Sequence, residues 1–179
     1  IIIIESKTIL TTGVGESTLG QINQWLSLLG IEDKDFMEEC DASYKLGIRF
    51  ENFYQKGDGG FHYPFGDPVT KNNEAILNDW YFKKFLYPET PNSDYAECLY
   101  SVMALINKNK ISEDIPFPNW SFKNNVAYHL DAVKFGNWLK KEFKKLGGKV
   151  EIGTIVKINQ DNNGITSLDL DTNKSISAD

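Results

Sequence analysis

The chain has 179 residues, a length that suits one ordinary domain or part of a larger protein. Hydrophobic residues make up 41% of it and charged residues 25%, which is enough apolar side chain to form a core and excludes a disordered or fibrous chain. Nineteen basic against 25 acidic residues give a net charge of −6, which argues against nucleic acid as a partner.

The first element in chain order is a strand over residues 1–5, four consecutive isoleucines followed by Glu5. Such a run is typical of a strand that is buried on both faces in a parallel sheet. The chain has no initiating Met, and it stops at residue 179 within an alternating strand pattern. We therefore expect an internal fragment whose sheet partners lie outside it; the alternative is a native domain from which a disordered leader has been removed.

The middle of the chain predicts a mixture of helices and one long strand. Apolar spacing predicts helices over residues 19–29, 33–39, 73–86 and 94–107, and alternation predicts a strand over residues 43–53. Ser17 or Thr18 is expected to cap the first of these helices and Gly30 to end it, and the helix over residues 73–86 is expected to stop before Pro88.

The last part of the chain predicts a helix followed by a β-meander. Asp131 is expected to cap an amphipathic helix that runs to Leu146, and the strands are expected over residues 150–158, 165–170 and 175–178. With no repeat and no linker in the sequence, the chain is expected to form one α/β unit.

Glycines before the first long helix suggest a phosphate-binding turn, but only weakly. Gly13, Gly15 and Thr18 resemble a dinucleotide fingerprint that lacks its third glycine and begins several residues after the strand. Glu5 has a better position, because an acid at the carboxyl end of such a strand accepts hydrogen bonds from a ribose. The alternative for Glu5 is a solvated strand end.

Lys45 lies within an otherwise apolar strand pattern. In a desolvated cleft, burial would lower the pKa of its ammonium and make the amine a usable nucleophile. The alternative is a surface lysine that pairs with Glu51 or with a neighbouring strand.

Aromatic side chains are dense between residues 50 and 81, where they form either a core or a slot for a flat aromatic substrate. His62, in the same stretch, is a candidate for lining a pocket. Neither His62 nor His129 belongs to a Ser-His-Asp or metal-ligand spacing, and Cys40 and Cys98 match no metal-ligand spacing either. We expect free thiols in a reducing compartment, the cytoplasm, and no membrane partner, because no apolar run approaches the ~20 residues that span a bilayer.

Taken in order, several short segments resemble the flavin-dependent tryptophan halogenases, a branch of the FAD-dependent monooxygenase fold. The resemblance covers nearly the whole chain, and its strongest parts are the Gly-Val-Gly-Glu-Ser-Thr segment and the later lysine strand. The segments that carry it are residues 4–6, 13–18, 29–31, 36–37, 42–48, 61–66 and 127–132.

This resemblance implies an α/β fold: part of an FAD-binding, Rossmann-like domain of the monooxygenase type, with an inserted helical and strand substrate region and a C-terminal β-meander. It implies an FAD-side strand and loop in residues 1–18, a substrate and halogenation region in residues 19–127, and a return helix with the meander of the FAD domain in residues 128–179.

The implied activity is halogenation, in which reduced FAD, dioxygen and halide generate hypohalous acid that a lysine delivers to tryptophan or another electron-rich aromatic. A separate flavin reductase would supply the reduced FAD, and a homodimer is a further expectation. The roles implied by the resemblance are catalysis for Lys45, FAD or halide binding for Glu5, Gly13, Val14, Gly15, Glu16 and Ser17, adenine-side pairing for Ile155 and Val156, and substrate binding for His62 and Phe65.

The chain also departs from the family pattern. The upstream GxGxxG turn, the downstream tryptophan-containing motif and a later catalytic glutamate have no counterpart in it, and His62 sits one place earlier than the family pattern has it. The fragment alone is therefore expected to be inactive. Two other functions stay open: an FAD-dependent hydroxylase in which Lys45 is structural, and a non-catalytic module that binds an aromatic ligand.

Overall fold

The computed structural model describes residues 1–9, 16–71, 74–75, 77–111 and 119–178. Over these residues the chain is a mixture of short sheets and helices, which confirms the predicted α/β class.

The chain divides into two compact units rather than one. The first consists of Ile1–Glu16, Glu39–Asp41 and Asp131–Asp179, and the second of Ser17–Glu38 and Ala42–Leu130. The assignment of these parts to a cofactor side and a substrate side stays a prediction.

The strands are short, and most of them pair in twos. In chain order they are β1 (Ile2–Glu5), β2 (Ser43–Lys45), β3 (Gly47–Glu51), β4 (Gly60–Pro64), β5 (Thr70–Lys71), β6 (Glu74–Ala75), β7 (Ala127–His129), β8 (Lys149–Ile152), β9 (Ile155–Asp161), β10 (Gly164–Leu170) and β11 (Ser175–Ser177).

The helices are also short, with one exception near the end of the chain. They are α1 (Ile22–Leu28), α2 (Asp33–Phe36), α3 (Leu77–Leu86), α4 (Asp94–Leu99), α5 (Met103–Ile106), α6 (Phe122–Asn125) and α7 (Ala132–Lys145).

In the first unit, β1 pairs in parallel with β8, as the isoleucine run predicts. Ile2 and Ile3 are 45% and 41% exposed, and among the described residues only one edge of β1 is paired. The helix α7 begins where it is predicted to begin, since the Asp131 carboxylate accepts a hydrogen bond from the Lys134 N–H at 2.9 Å.

The predicted strand over residues 150–158 is two strands with different partners, because the chain changes direction at Gly153. A Cβ at Gly153 would lie 2.9 Å from the Leu170 side chain, so the backbone packs closely there. Before this point β8 pairs with β1, and after it β9 joins the antiparallel meander β9–β10–β11. The meander prediction is therefore confirmed only from residue 155 onward.

In the second unit, two strand pairs frame the residues of interest. Strands β3 and β4 form an antiparallel hairpin, and β2 pairs antiparallel with β7, so that Lys45 lies opposite Ala127. The predicted strand over residues 43–53 is interrupted at Leu46, whose carbonyl accepts a hydrogen bond from the Phe65 N–H at 2.9 Å.

Four helix predictions need correction. The predicted helix over residues 73–86 begins at Leu77, because Glu74 and Ala75 pair with β5 as strand β6. The helix predicted over residues 33–39 ends at Phe36.

The helix α1 begins at Ile22 rather than at residue 19, because the hydroxyls of Ser17 and Thr18 bind other groups and do not cap it. The predicted helix over residues 94–107 is two helices, because Tyr100 has extended backbone between them. Gly30 ends α1 with a φ of +67°, as predicted.

Candidate functional site

Lys45 is the last residue of β2 and is buried, with 8% of its surface exposed. The expectation that this lysine is kept from bulk solvent is confirmed. The alternative pairing with Glu51 is wrong, since Glu51 forms its ion pair with Arg49 at 2.5 Å. The strand alternation explains the burial: Lys45 belongs to the face of the β2–β7 pair that also carries the fully buried Ala127.

Neutral groups surround the Lys45 ammonium. Its Nζ donates hydrogen bonds to Ser17 Oγ at 2.9 Å and to the Thr18 carbonyl at 3.1 Å, and it lies 5.3 Å from the centre of the Phe65 ring. No carboxylate among the described residues forms an ion pair with it. Burial without a counter-ion lowers the pKa of the Lys45 amine below its ordinary value.

Backbone pairing holds the segment that contacts Lys45 against β7. Ser17 forms an isolated antiparallel bridge with His129. The Thr18 N–H donates to the Tyr128 carbonyl at 2.8 Å, and the Tyr128 N–H donates to the Thr18 hydroxyl at 2.9 Å. The end of the glycine segment therefore lies beside Lys45, a contact that sequence reasoning missed.

The other predicted residues of this segment are less well defined. Gly13, Val14 and Gly15 lie outside the described residues. Glu16 is half-buried and directly precedes the bridge at Ser17. The predicted contact of these residues with FAD or halide stays a prediction.

Two cavities with different linings separate the predicted substrate residues. One cavity of about 440 Å³ is lined by Lys45, His62, Arg49, His129 and Leu105, among others. Phe65 lines a second cavity of about 580 Å³, whose other lining groups include the amides of Gln21, Gln24, Asn124 and Asn125. His62 thus shares a cavity with Lys45, while Phe65 contacts the lysine by its ring.

The aromatic-rich stretch over residues 50–81 is neither one core nor one slot. Phe50 stacks on Phe61 across the β3–β4 hairpin at 5.2 Å between ring centres, and Phe53 packs on the pair while 71% exposed. Trp80 is buried elsewhere, where its indole N–H donates to Asp94 at 2.9 Å. None of these rings lines either cavity.

A carboxylate that sequence reasoning missed braces the strands that carry Lys45. Asp33 accepts hydrogen bonds from Tyr44 at 2.8 Å and from Tyr128 at 2.6 Å, and these two tyrosines face each other across β2 and β7. Phe36, which has no exposed surface, packs edge-on against the Tyr128 ring. Burial and the Asp33 carboxylate both raise the pKa of Tyr128, so this phenol stays protonated.

In the first unit, Glu5 is the last residue of β1. Each oxygen of its carboxylate accepts a hydrogen bond from Lys140 Nζ at 2.7 Å. The Glu5 side chain is 41% exposed and lines a cavity of about 590 Å³ with Lys140, Val150 and Ile152. A partly exposed carboxylate at the carboxyl end of a parallel strand pair fits a hydroxyl-bearing ligand such as the ribose of FAD. Ile155 and Val156 lie at the start of β9, 43% and 63% exposed.

Over the described ranges, no group of three or more His, Cys, Asp or Glu side chains is arranged to hold a metal ion. No helix in the described part of the chain is long and apolar enough to cross a membrane. Cys40 and Cys98 are free thiols, as expected.

The comparison with known proteins agrees with the resemblance. The family described as "Tryptophan halogenase" matches residues 1–179. The tryptophan 7-halogenase RebH of Lentzea aerocolonigenes is 29% identical over all of this chain and 36% of its own length. The chain therefore spans about a third of the length of this curated relative.

Solved structures show the same likeness. A structure described as apo VirX1 superposes with a TM-score of 0.87 at 34% identity, over all of this chain and 36% of that one. Xcc4156, described as a flavin-dependent halogenase from Xanthomonas campestris, superposes with a TM-score of 0.81 at 26% identity, over all of this chain and 35% of that one. Since the family match extends over every residue, the chain belongs to the tryptophan halogenase family.

Proposed function

We propose that the protein is a flavin-dependent halogenase that acts on tryptophan or another electron-rich aromatic, with Lys45 as its catalytic residue. The observation that carries this proposal is the buried, uncompensated Lys45 amine, held by Ser17 and the Thr18 carbonyl beside the Phe65 ring. Names of the matched relatives support it: one is a tryptophan 7-halogenase and another a flavin-dependent halogenase.

The cofactor we propose is FAD, and the halide is a co-substrate. Dioxygen is the oxidant that converts halide into hypohalous acid, and reduced FAD, when bound, would supply the two electrons that reduce the other oxygen atom to water. Glu5 is proposed to accept hydrogen bonds from the FAD ribose, with Ile155 and Val156 near the adenine and residues 13–16 toward the flavin. The first unit would then serve the cofactor and the second the substrate.

The proposed role of Lys45 is to bind the hypohalous acid and to make its halogen more electrophilic. The Nζ does this either by donating a hydrogen bond to the hypohalous oxygen or, as the neutral amine, by carrying the halogen as a haloamine. In the first case the ring π-electrons attack the halogen, the halogen–oxygen bond breaks, and the oxygen leaves as water while the ring loses a proton. Free hypohalous acid reacts with many groups in water, so burial of the amine is what such a reaction requires.

The substrate would lie in the cavity that Lys45 and His62 line, with the Phe65 ring on the other side of the amine. The cavity of about 440 Å³ lies within the range of small-molecule sites and is large enough for an indole-sized ring. A flavin reductase is the partner proposed to supply reduced FAD.

The test uses the full-length product of the gene, incubated with reduced FAD, dioxygen, bromide and tryptophan or indole. Lys45→Ala should abolish the halogenated product seen by mass spectrometry while the oxidation of reduced flavin continues. Lys56→Ala, at an exposed lysine between β3 and β4, is the matched control and should leave the product unchanged.

Two results would contradict the proposal. Hydroxylated but never halogenated product from the unsubstituted protein would favour an ordinary flavin monooxygenase. Unchanged halogenation by Lys45→Ala would remove the catalytic role of this lysine.

A further inference from the structure

The position of the Lys45 amine depends on very few contacts. Its Nζ has three hydrogen-bonding positions, and the two that the structure describes go to Ser17 Oγ and the Thr18 carbonyl. The carbonyl belongs to the backbone, so Ser17 supplies the one side-chain hydrogen-bond partner of the amine among the described residues. A long lysine side chain would otherwise have several rotamers open to it at its tip.

Ser17 is well placed to hold the Lys45 amine in one position because its own backbone is fixed. The bridge to His129 and the pair of hydrogen bonds between Thr18 and Tyr128 tie residues 17–18 to β7. Lys45 lies on β2, which pairs with the same strand β7. The hydroxyl and the amine are therefore positioned by one common strand, at 2.9 Å from each other.

A hydroxyl also fits both charge states of the amine. It accepts a hydrogen bond from the ammonium, and by rotating its O–H it can donate to the lone pair of the neutral amine. A carboxylate in its place would stabilise the ammonium alone, and a methyl group would bond to neither state.

We propose that Ser17 is a positioning residue for Lys45, which fixes where the amine lies, rather than a residue that touches the flavin or the halide. The effect of Ser17 on halogenation rests on the proposed function, whereas the contact between Ser17 and the Lys45 amine does not. With Ser17 in place the amine meets the hypohalous acid at one point; without it, more of that acid is lost to water before it reaches the ring.

The experiment compares Ser17→Ala, Ser17→Thr and the matched control Ser43→Ala. Ser17 and Ser43 are both exposed, so neither serine is needed for core packing, and Ser43 lies on the same strand as Lys45 without contacting its amine. Ser17→Thr keeps the hydroxyl. Thermal unfolding checks that all variants are folded.

The first measurement does not depend on catalysis. A brief pulse of acetic anhydride, followed by peptide mass spectrometry, gives the acetylation of Lys45 relative to the exposed Lys56 as a function of pH. Loss of this hydrogen bond should raise the acetylation of Lys45 roughly tenfold in Ser17→Ala, because the tip of the side chain is no longer held at Ser17 and meets the reagent more often. Ser17→Thr and Ser43→Ala should resemble the unsubstituted protein.

The second measurement uses the full-length gene product and counts halogenated product per reduced FAD consumed. Ser17→Ala should lower this ratio by roughly tenfold, with the rate of flavin oxidation unchanged, and Ser17→Thr should restore the ratio. A slower flavin oxidation in Ser17→Ala would overturn the inference, because Ser17 would then act at the flavin.

The two measurements separate the inference from the proposed function. Unchanged acetylation of Lys45 in Ser17→Ala overturns the positioning role, whatever the halogenation assay gives. Increased acetylation supports the positioning role, and if the unsubstituted protein then makes no halogenated product, the proposed function fails while the positioning role stands.

Discussion

Lys45 of the second unit and the lysines of α7 in the first unit have opposite surroundings. Lys45 in the second unit is buried among neutral groups, whereas Lys134, Lys140 and Lys141 on α7 of the first unit each bond to a carboxylate. Burial lowers the pKa of Lys45, while a hydrogen bond to Glu39 raises that of Lys141. The difference is one of charge state, since an isolated amine can lose its proton more readily and a paired one is held as a cation.

The largest expected effect tests whether the Lys45 strands depend on the Asp33 carboxylate. Asp33→Asn should lower the free energy of unfolding by about 2 kcal/mol, because one amide cannot accept from both tyrosine hydroxyls as the carboxylate does. Tyr128→Phe should lower it by about 1 kcal/mol. Urea denaturation measures both.

The matched control for these substitutions is Tyr54→Phe, which removes a hydroxyl from a ring that is 88% exposed. It should leave the free energy of unfolding unchanged. Asp33→Asn with the stability of the unsubstituted protein would show that the tyrosines do not rely on this carboxylate.

The second prediction concerns the pH dependence that follows from the lowered pKa of Lys45. Between its folded and its unfolded pKa, the unfolded chain binds more protons at this lysine, so the free energy of unfolding should rise with pH in that interval. Lys45→Met should remove this part of the rise. Urea denaturation at a series of alkaline pH values gives both curves, and parallel curves would contradict the uncompensated burial of the amine.

The smallest expected effect is at the paired lysines of the first unit. Glu5→Gln should lower the free energy of unfolding by less than about 1 kcal/mol, because the Glu5–Lys140 pair is partly exposed to solvent. In the full-length gene product the same change should raise the Kd for FAD by about tenfold, if Glu5 accepts from the ribose. Glu39→Gln, which breaks the similar pair with Lys141, is the control and should leave the Kd unchanged.

The contrast between the two kinds of lysine would fail if Glu5→Gln had a large effect on stability and none on FAD binding. A loss of stability well above 1 kcal/mol with unchanged FAD binding would make the Glu5–Lys140 pair a structural feature, like Asp33 with its two tyrosines.

Local patterns in the sequence predicted the regular elements well, and contacts distant in sequence account for the rest. The cap at Asp131, the stop at Gly30 and the parallel pairing of β1 all follow from neighbouring residues. The start of α1 did not follow, because the hydroxyl of Thr18 binds Tyr128, which lies 110 residues away.

The same division applies to the candidate site. The strand pattern left both a buried and a surface Lys45 open, and only the resemblance pointed to a catalytic lysine. Its contact with Ser17 could not be predicted, because no local pattern shows that residues 17–18 join β7. Asp33 was missed for the same reason: in sequence it is an ordinary acid in the first turn of a short helix, where it is expected to be solvated.

The shared carboxylate of Asp33 has a consequence for directed evolution of this protein. Because one acid serves both Tyr44 and Tyr128, substitutions at these three positions should be strongly epistatic, each tolerated or not according to the other two. Combinatorial libraries that test the proposed substrate cavity would randomise its wall at Arg49, Leu105 and Ile106 and leave the acid and its two phenols together.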